Sequence, residues 1–556
     1  MAAGGLWTLL QKLWVFLKTH LFSLKRFGLF VQGAMLTLVV LDTNVTLLLK
    51  RDAAKGYMPD NIHDWVQVSA AVVEFTFGAL IAWWGQARKN LALSGWLVAA
   101  AASGLLVLAF PFEDVDVYPV ELCGGEEIAA LSYRSSQMDP NVIPRVAVLV
   151  LTAAFCAIGR LSVWAHGLTY LDDHEPENGA YFYGMLISIR LSLGLNSVSW
   201  LEPFAMRRIW WIVQLIICSL ALFFAFLFTL FPRRMEKYQL VEDEIANKGL
   251  VQTLSRVLKN KTFLVQSAAL SCLYTAVFSF IRFDSDFVQA QFHVETVRED
   301  PRASRAITDR FRTFVVILFI MLFRTYFSVR RTVGVKATTA ARVGGLFAIV
   351  VAVPFVVLAS IHCELGDVGG PGRGYIQPWC STHCGCDSER YGFSPVCAVN
   401  TSTTYFSPCH AGCRSYTDLN GFLVFEECAC VGGVVARGAC SLPGCISSFN
   451  YYQLMFALML AFGGASLLMQ GMVFLRTVAI SDKTVAVGAS FATVALLSHV
   501  PGFLLYMLIS HLSCAFSYNG GCLLHNPTLW SMAVLSAGFS VVSGLLSLIA
   551  SRLAKE

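Results

Sequence analysis

The sequence predicts an all-α polytopic membrane protein: twelve transmembrane helices in two six-helix halves, with a small disulfide-rich module between the ninth and tenth. Three observations predict it. The chain is 56% apolar and 14% charged, with a mean hydropathy of +0.61, far from the composition of a water-soluble domain. Twelve apolar stretches approach the length of about 20 residues that a helix needs to cross a bilayer. Eleven of the seventeen cysteines fall within the 83 residues from Cys363 to Cys445.

Taken in order, residues 1–26 place Trp7, Leu10, Trp14, Leu17 and Leu21 at helical spacing, with Lys12 opposite. This predicts a cytosolic segment with an interfacial helix, and not a cleaved signal, because no charge precedes the apolar run. The expected spans are 27–49, 66–85, 91–112, 143–170, 180–201 and 209–231 in the first half. They continue with 263–282, 312–329, 343–361, 449–474, 484–510 and 527–551. Residues 232–262 form a charged central loop and 552–556 a short cytosolic end. Two six-helix halves around a basic loop are a major-facilitator-like layout, with a substrate site between the halves near the midplane.

The cysteine stretch, within loop 362–448, sets the topology. Its members are Cys363, Cys380, Cys384, Cys386, Cys397, Cys409, Cys413, Cys428, Cys430, Cys440 and Cys445. Cytosolic thiols stay reduced, so so many close cysteines predict disulfides in an outer compartment. The pairs Cys384/Cys386 and Cys428/Cys430 lack the spacing of zinc ligands. With this loop outside, both termini lie in the cytosol. The basic clusters Arg233–Lys261 and Arg330–Arg342 then face inward, as the positive-inside tendency asks. Cys514 and Cys522 are expected to pair across the last outer loop, and parity assigns Cys123 to the odd cysteine of the large loop. Which one it takes is not readable from spacing. Cys156, Cys218 and Cys272 fall in spans and are expected free. Asn400-Thr401-Ser402 is an outward glycosylation sequon.

Ionisable groups inside spans face a partner or a cavity, since lipid penalises them. Arg160 and Arg190 are deep within helices, and an arginine offers an anion a permanent charge and a bidentate fork. They are candidate substrate-binding groups, with His499 on span eleven as a third. Glu74 and Asp42 are candidates for gating or ion coupling; the alternative for Glu74 is a structural pair with a neighbouring arginine. A net charge of +5, dispersed along the chain, excludes a nucleic-acid partner and leaves the bilayer and small solutes. No nucleophile–base pair, metal-ligand spacing or G-x-x-x-x-G-K-S/T loop stands out, so neither an enzyme, a cofactor, nor ATP-driven pumping is expected.

Five stretches carry a resemblance. PVCAVNTSTTYFSPCHAGC, from Pro395 to Cys413, resembles the Kazal-type module in the outer loop of the organic anion transporting polypeptides. The passages His166–Gly184, Ile209–Met235, Leu460–Phe491 and Val500–Cys514 resemble the same family in matching order. The chain is therefore identified as a divergent member. The resemblance implies sodium-independent, secondary transport of amphipathic organic anions across the plasma membrane, with steroid conjugates, bile-acid-like molecules, thyroid hormones or eicosanoids as cargo. It also sets a frame: Arg160 and His499 stand four residues beyond the family's arginines, one helical turn. Those two shifts run in opposite directions across the membrane, which separates the basic groups. Three departures stand beside it. Arg-Trp is missing before the double Trp, where the chain reads EPFAMRRIWW. Phe112 occupies the place of a frequent histidine. Span eight lacks paired glycines. Two other functions remain open: a membrane-anchored Kazal-like inhibitor or interaction module, and a diverged carrier acting as receptor or scaffold.

Overall fold

A computed structural model describes residues 23–53, 62–112, 121–124, 142–205, 209–233, 249–292, 314–322 and 335–361, and 363–554 with short interruptions. The expected interfacial helix and most of the central loop lie outside the described residues. Among those described, nine helical segments are long and apolar enough to cross a membrane. Two expected spans lie within one of them, Ile62–Ala109.

The first half contains α1 (Leu24–Ala53), α2 (Ile62–Gly85), α3 (Lys89–Leu106), α4 (Val142–Ser162), α5 (Gly179–Ile189) and α6 (Trp210–Leu230). Lys50 and Arg51 close α1, where cations complement the carbonyl end of a helix. α4 runs on through a π segment, Val163–Leu168, to Thr169–His174. α5 runs on through another, Arg190–Gly194, to Leu195–Ala205. The core of this half centres on Phe27, fully buried, whose ring meets those of Tyr170, Phe228 and Phe231 at 4.2, 5.3 and 5.0 Å.

The amphipathic α7 (Leu250–Lys259) leads into α8 (Lys261–Tyr274), which Asn260 caps by accepting from the Phe263 N–H at 3.2 Å. α8 continues through a π segment, Thr275–Ser279, to Phe280–Arg282 and Asp284–Phe292. The expected seventh span stops at 282 because Asp284, Asp286 and Gln291 end the apolar run. Hydropathy marks the membrane edge, and the helix projects past it. α9 is described over residues 314–322, followed by α10 (Ala337–Ser360), α11 (Pro443–Arg476), α12 (Lys483–Leu497) and α13 (Ser531–Leu553). α12 is prolonged by a π segment, Ser498–Gly502, and Phe503–Leu512.

Gly345 of α10 and Gly544 of α13 let these helices touch. A Cβ on either would meet the other's carbonyl oxygen at 2.8 or 2.7 Å. Side-chain hydrogen bonds tie α8, α11 and α13 together: Gln266 donates to Gln470, Gln470 to Ser466 and Ser543, and Ser547 to Gln266, all at 3.1–3.2 Å. Such bonds contribute about 0.6 kcal/mol each in a membrane, so they fix register more than they drive association. The two halves meet where α2 crosses α12 and where α5 crosses α11. At the first crossing Gly78 and Ala82 oppose Gly488 and Ala492.

Between α10 and α11 lies a six-stranded sheet in the order β1-β3-β2-β6-β5-β4. Its strands are β1 (Val368–Gly369), β2 (Val396–Ala398), β3 (Thr403–Tyr405), β4 (Ser415–Leu419), β5 (Phe422–Cys428) and β6 (Gly433–Arg437). Its core is small: Val396, Ala398, Ala411, Phe425 and Val435. Five disulfides staple the module: Cys380–Cys430, Cys386–Cys409, Cys397–Cys440, Cys413–Cys428 and Cys123–Cys384. Cys363 is also disulfide-bonded, and the Cys445 side chain lies outside the described residues. The last bond brings in the segment after α3. There Leu122 packs on the module core, Cys123 N–H donates to Cys413 C=O at 2.7 Å, and Glu121 accepts from Ser407 at 3.1 Å. Ser407 gives its one proton to Glu121, so the 2.6 Å contact with His410 has Nδ1–H of the imidazole as donor. Burial pushes the His410 pKa down to about 4. A second hairpin, β7 (Cys514–Tyr518) and β8 (Gly521–His525), carries Cys514–Cys522. Cys156, Cys218 and Cys272 are free.

Candidate functional site

The five ionisable groups singled out from the sequence come together around Tyr274, at the end of α8. Arg160, one turn before the π segment of α4, reaches Asp42 of α1, with Nη1 and Oδ2 2.7 Å apart. Both are mostly buried. Arg190 opens the π segment of α5 and donates to the Tyr274 hydroxyl. Its guanidinium lies over the rings of Tyr274 and Phe278, 5.1 and 4.9 Å from their centroids. Among the described residues no carboxylate pairs with Arg190. Glu74 of α2 is within electrostatic range of Arg160, Arg190 and Asp42, yet forms no ion pair among the described residues. The alternative of a structural Glu74–arginine pair is therefore not what the structure contains; Asp42 is the carboxylate that takes Arg160. His499, in the π segment of α12, holds Nδ1 3.0 Å from the Ala495 carbonyl and 3.1 Å from the Ser498 hydroxyl. Its ring is 6.2 Å from that of Tyr274, and Arg160 and Arg190 both act on it electrostatically.

The opposite one-turn shifts of Arg160 and His499 leave both of them beside Tyr274. Arg160, Arg190 and His499 share one neighbourhood.

Beside this cluster lies a small cavity lined by Arg190, Trp164, Tyr183, Tyr274, Phe278 and Phe491, with Ile187, Leu191, Leu270 and Leu467 completing the wall. Trp164, Arg190, Leu191 and Phe278 all sit on π segments. The aromatic lining was not identified from the sequence, because aromatic residues within an apolar span look the same whether they face lipid or a cavity.

Ion pairs join the halves on both sides of the cavity. Away from the module, Asp172 is wholly buried and accepts from Arg476 at 2.9 and 3.0 Å and from Lys483 at 2.7 Å. Lys483 also reaches Asp173 at 3.3 Å. The acids follow α4 in the first half; the bases end α11 and begin α12 in the second. On the module side, Arg282 donates through Nε to Asp64 at 2.8 Å and stacks 4.6 Å from the centroid of the Phe503 ring. The cavity is thus bracketed by closed contacts at both ends. Among the described residues, the two groupings with metal-like geometry are made of disulfide-bonded cysteines with His383 or Glu121, and those sulfurs have no thiolate to offer.

Residues 205–528 match the model of the Organic Anion Transporter Polypeptide (OATP) family. The chain belongs to this family. It is 23% identical over 443 residues to solute carrier organic anion transporter family member 2B1 of Rattus norvegicus, covering 66% of this chain and 64% of that protein. With family member 74D of Drosophila melanogaster it shares 22% identity over 469 residues, 74% of this chain and 55% of that one. The chain thus spans less than two thirds of the length of either relative. The solved structure of a Major Facilitator Superfamily transporter, FucP, in the outward conformation gives a TM-score of 0.49 at 11% identity, covering 94% of this chain and 98% of that one. In this family member two of the five stretches noted from sequence, His166–Gly184 and Leu460–Phe491, supply the described charges between the halves, Asp172, Asp173, Arg476 and Lys483. No role for those four was assigned from sequence, where spacing shows segments and not their partners.

Proposed function

We propose that this chain is an ATP-independent secondary carrier of amphipathic organic anions, working by alternating access between two major-facilitator-like halves at the plasma membrane. The observation that carries this reading is Arg190. It is a permanent cation on the wall of an apolar, aromatic cavity, with aromatic faces against it and no carboxylate paired with it among the described residues. Arg160, by contrast, is neutralised by Asp42 and serves to hold α1 to α4. An anion entering the cavity meets a charge that holds no carboxylate partner of its own among the described residues, on walls that suit an apolar body. Glu74, in the field of both arginines and of Asp42, is the carboxylate placed for ion coupling. The disulfide module lies outside the cell, resembles a Kazal module, carries a glycan on the exposed Asn400, and leaves both termini in the cytosol.

The test is uptake of a labelled organic anion at matched surface expression. Arg190→Gln is expected to lower uptake at least tenfold, and Arg190→Lys to restore part of it, since charge returns without the fork. Equal uptake by Arg190→Gln and wild type would refute the assignment.

A further inference from the structure

Trp164 lines the same cavity as Arg190 and is 3% exposed, yet its indole N–H finds no acceptor among the described residues. Indole nitrogen is a donor only. Buried donors in native proteins are matched almost without exception, and leaving one unmatched is unfavourable. The ring is packed on two sides. One face stacks on Phe491 at 4.8 Å and 17°, and it packs against Tyr183 at 5.0 Å. The Tyr274 hydroxyl, the corresponding polar group at the arginine end, is already engaged by Arg190.

We infer that Trp164 is a specificity-determining residue of this site: its N–H receives a neutral carbonyl oxygen of the cargo, while Arg190 holds the anionic group. The inference rests on the anion-carrier reading above and sharpens it to a substrate class. The lining falls into two aromatic groups, Tyr274 with Phe278 around the guanidinium, and Trp164 with Tyr183 and Phe491. Aliphatic side chains complete the wall. The cargo is therefore an apolar anion with one negative group and one ketone or similar oxygen set apart from it. A partner-seeking donor discriminates more sharply than an apolar wall does, because a ligand lacking the acceptor leaves the donor buried and unmatched.

Two probes test this: estrone sulfate, whose ketone lies at the opposite end from the sulfate, and the same sulfate without the ketone. Binding is read as thermal stabilisation of the purified full chain, and transport as uptake at matched surface level. Wild type is expected to favour the ketone probe about tenfold. Trp164→Phe, which keeps a ring for Phe491 and Tyr183 to pack on, is expected to erase that preference by weakening the ketone probe alone. A preference that survives in Trp164→Phe overturns the inference, as does an equal loss for both probes, which would mark a packing role. If Trp164→Phe does not reach the surface, wild type still decides, because equal affinity for the two probes overturns it. Arg190→Gln separates the two readings. If it binds both sulfates as wild type does, the anion reading fails, whatever the ketone preference.

Discussion

Phe112 is held between two guanidinium groups, Arg51 at 5.9 Å and Arg145 at 4.8 Å from its ring centroid, and meets Trp210 edge-on. Arg145 in turn grips Asp52 at 2.8 and 3.0 Å. The sequence showed that a frequent histidine is absent here. The structure supplies a reason that it is not missed: an imidazolium between two arginines is repelled by both. Phe112→His is expected to lower stability by about 1–2 kcal/mol through lost cation–π contacts, and further on acidification, read as thermal melting at pH 8 and pH 6. The Arg160–Asp42 pair makes a second prediction at this scale. Removing one partner leaves a buried charge, at a cost of about 3–5 kcal/mol; removing both costs less. Asp42→Asn and Arg160→Gln should each reduce folded yield more than the double variant does, measured as detergent-resistant monomer. Arg160 and Arg190 were both legible from depth in a span. Their different roles were not, because the carboxylate that distinguishes them lies 118 positions from Arg160 in the chain, on α1.

At the scale of elements, apolar length placed the described spans, and cysteine density placed the module. Helix faces were harder to read. Counting by 3.6 residues works up to Arg160 and fails beyond it, because Val163–Leu168 is a π segment, and the same holds at His499. The module makes its own prediction. His410 is neutral in the fold, with a pKa near 4, while an unfolded histidine titrates near 6.5. Between those values the unfolded chain binds more protons, so the module's stability falls as pH drops through about 6.5. From pH 7 to pH 5 the loss is on the order of 2 kcal/mol. Hydrogen exchange of the strands, corrected for intrinsic rates, should show it in wild type and lose it in His410→Phe.

At the scale of the whole molecule, cross-half ion pairs on both sides bracket the cavity, Asp172 with Arg476 and Lys483 on one, Asp64 with Arg282 on the other. Alternating access requires that one set break while the other holds. Neutralising Asp172 is therefore expected to favour opening away from the module. Asp172→Asn should increase the labelling of a cysteine placed at Thr484, which lies beside Thr169 in the closed contact, by a membrane-permeant thiol reagent; Asp64→Asn should not. None of these pairings was visible in the sequence, where the halves show no repeat and the partners are more than 200 residues apart.

The Cys123–Cys384 bond also has a consequence for biogenesis. It closes a ring of 261 residues that contains α4 to α10, so it cannot form until all of them have been made and residue 384 has crossed the membrane. At roughly 5–20 residues per second, Cys123 waits about 13–50 s for its partner to be made. Local pairs such as Cys413–Cys428 need no such wait once their own segment emerges. In a pulse-chase experiment with an alkylating quench, Cys123 should be the cysteine that waits longest, counted from its own synthesis, before its native bond appears. Cys123→Ser should leave Cys384 as an orphan thiol, retained by thiol-dependent quality control; Cys123→Ser with Cys384→Ser should escape that retention.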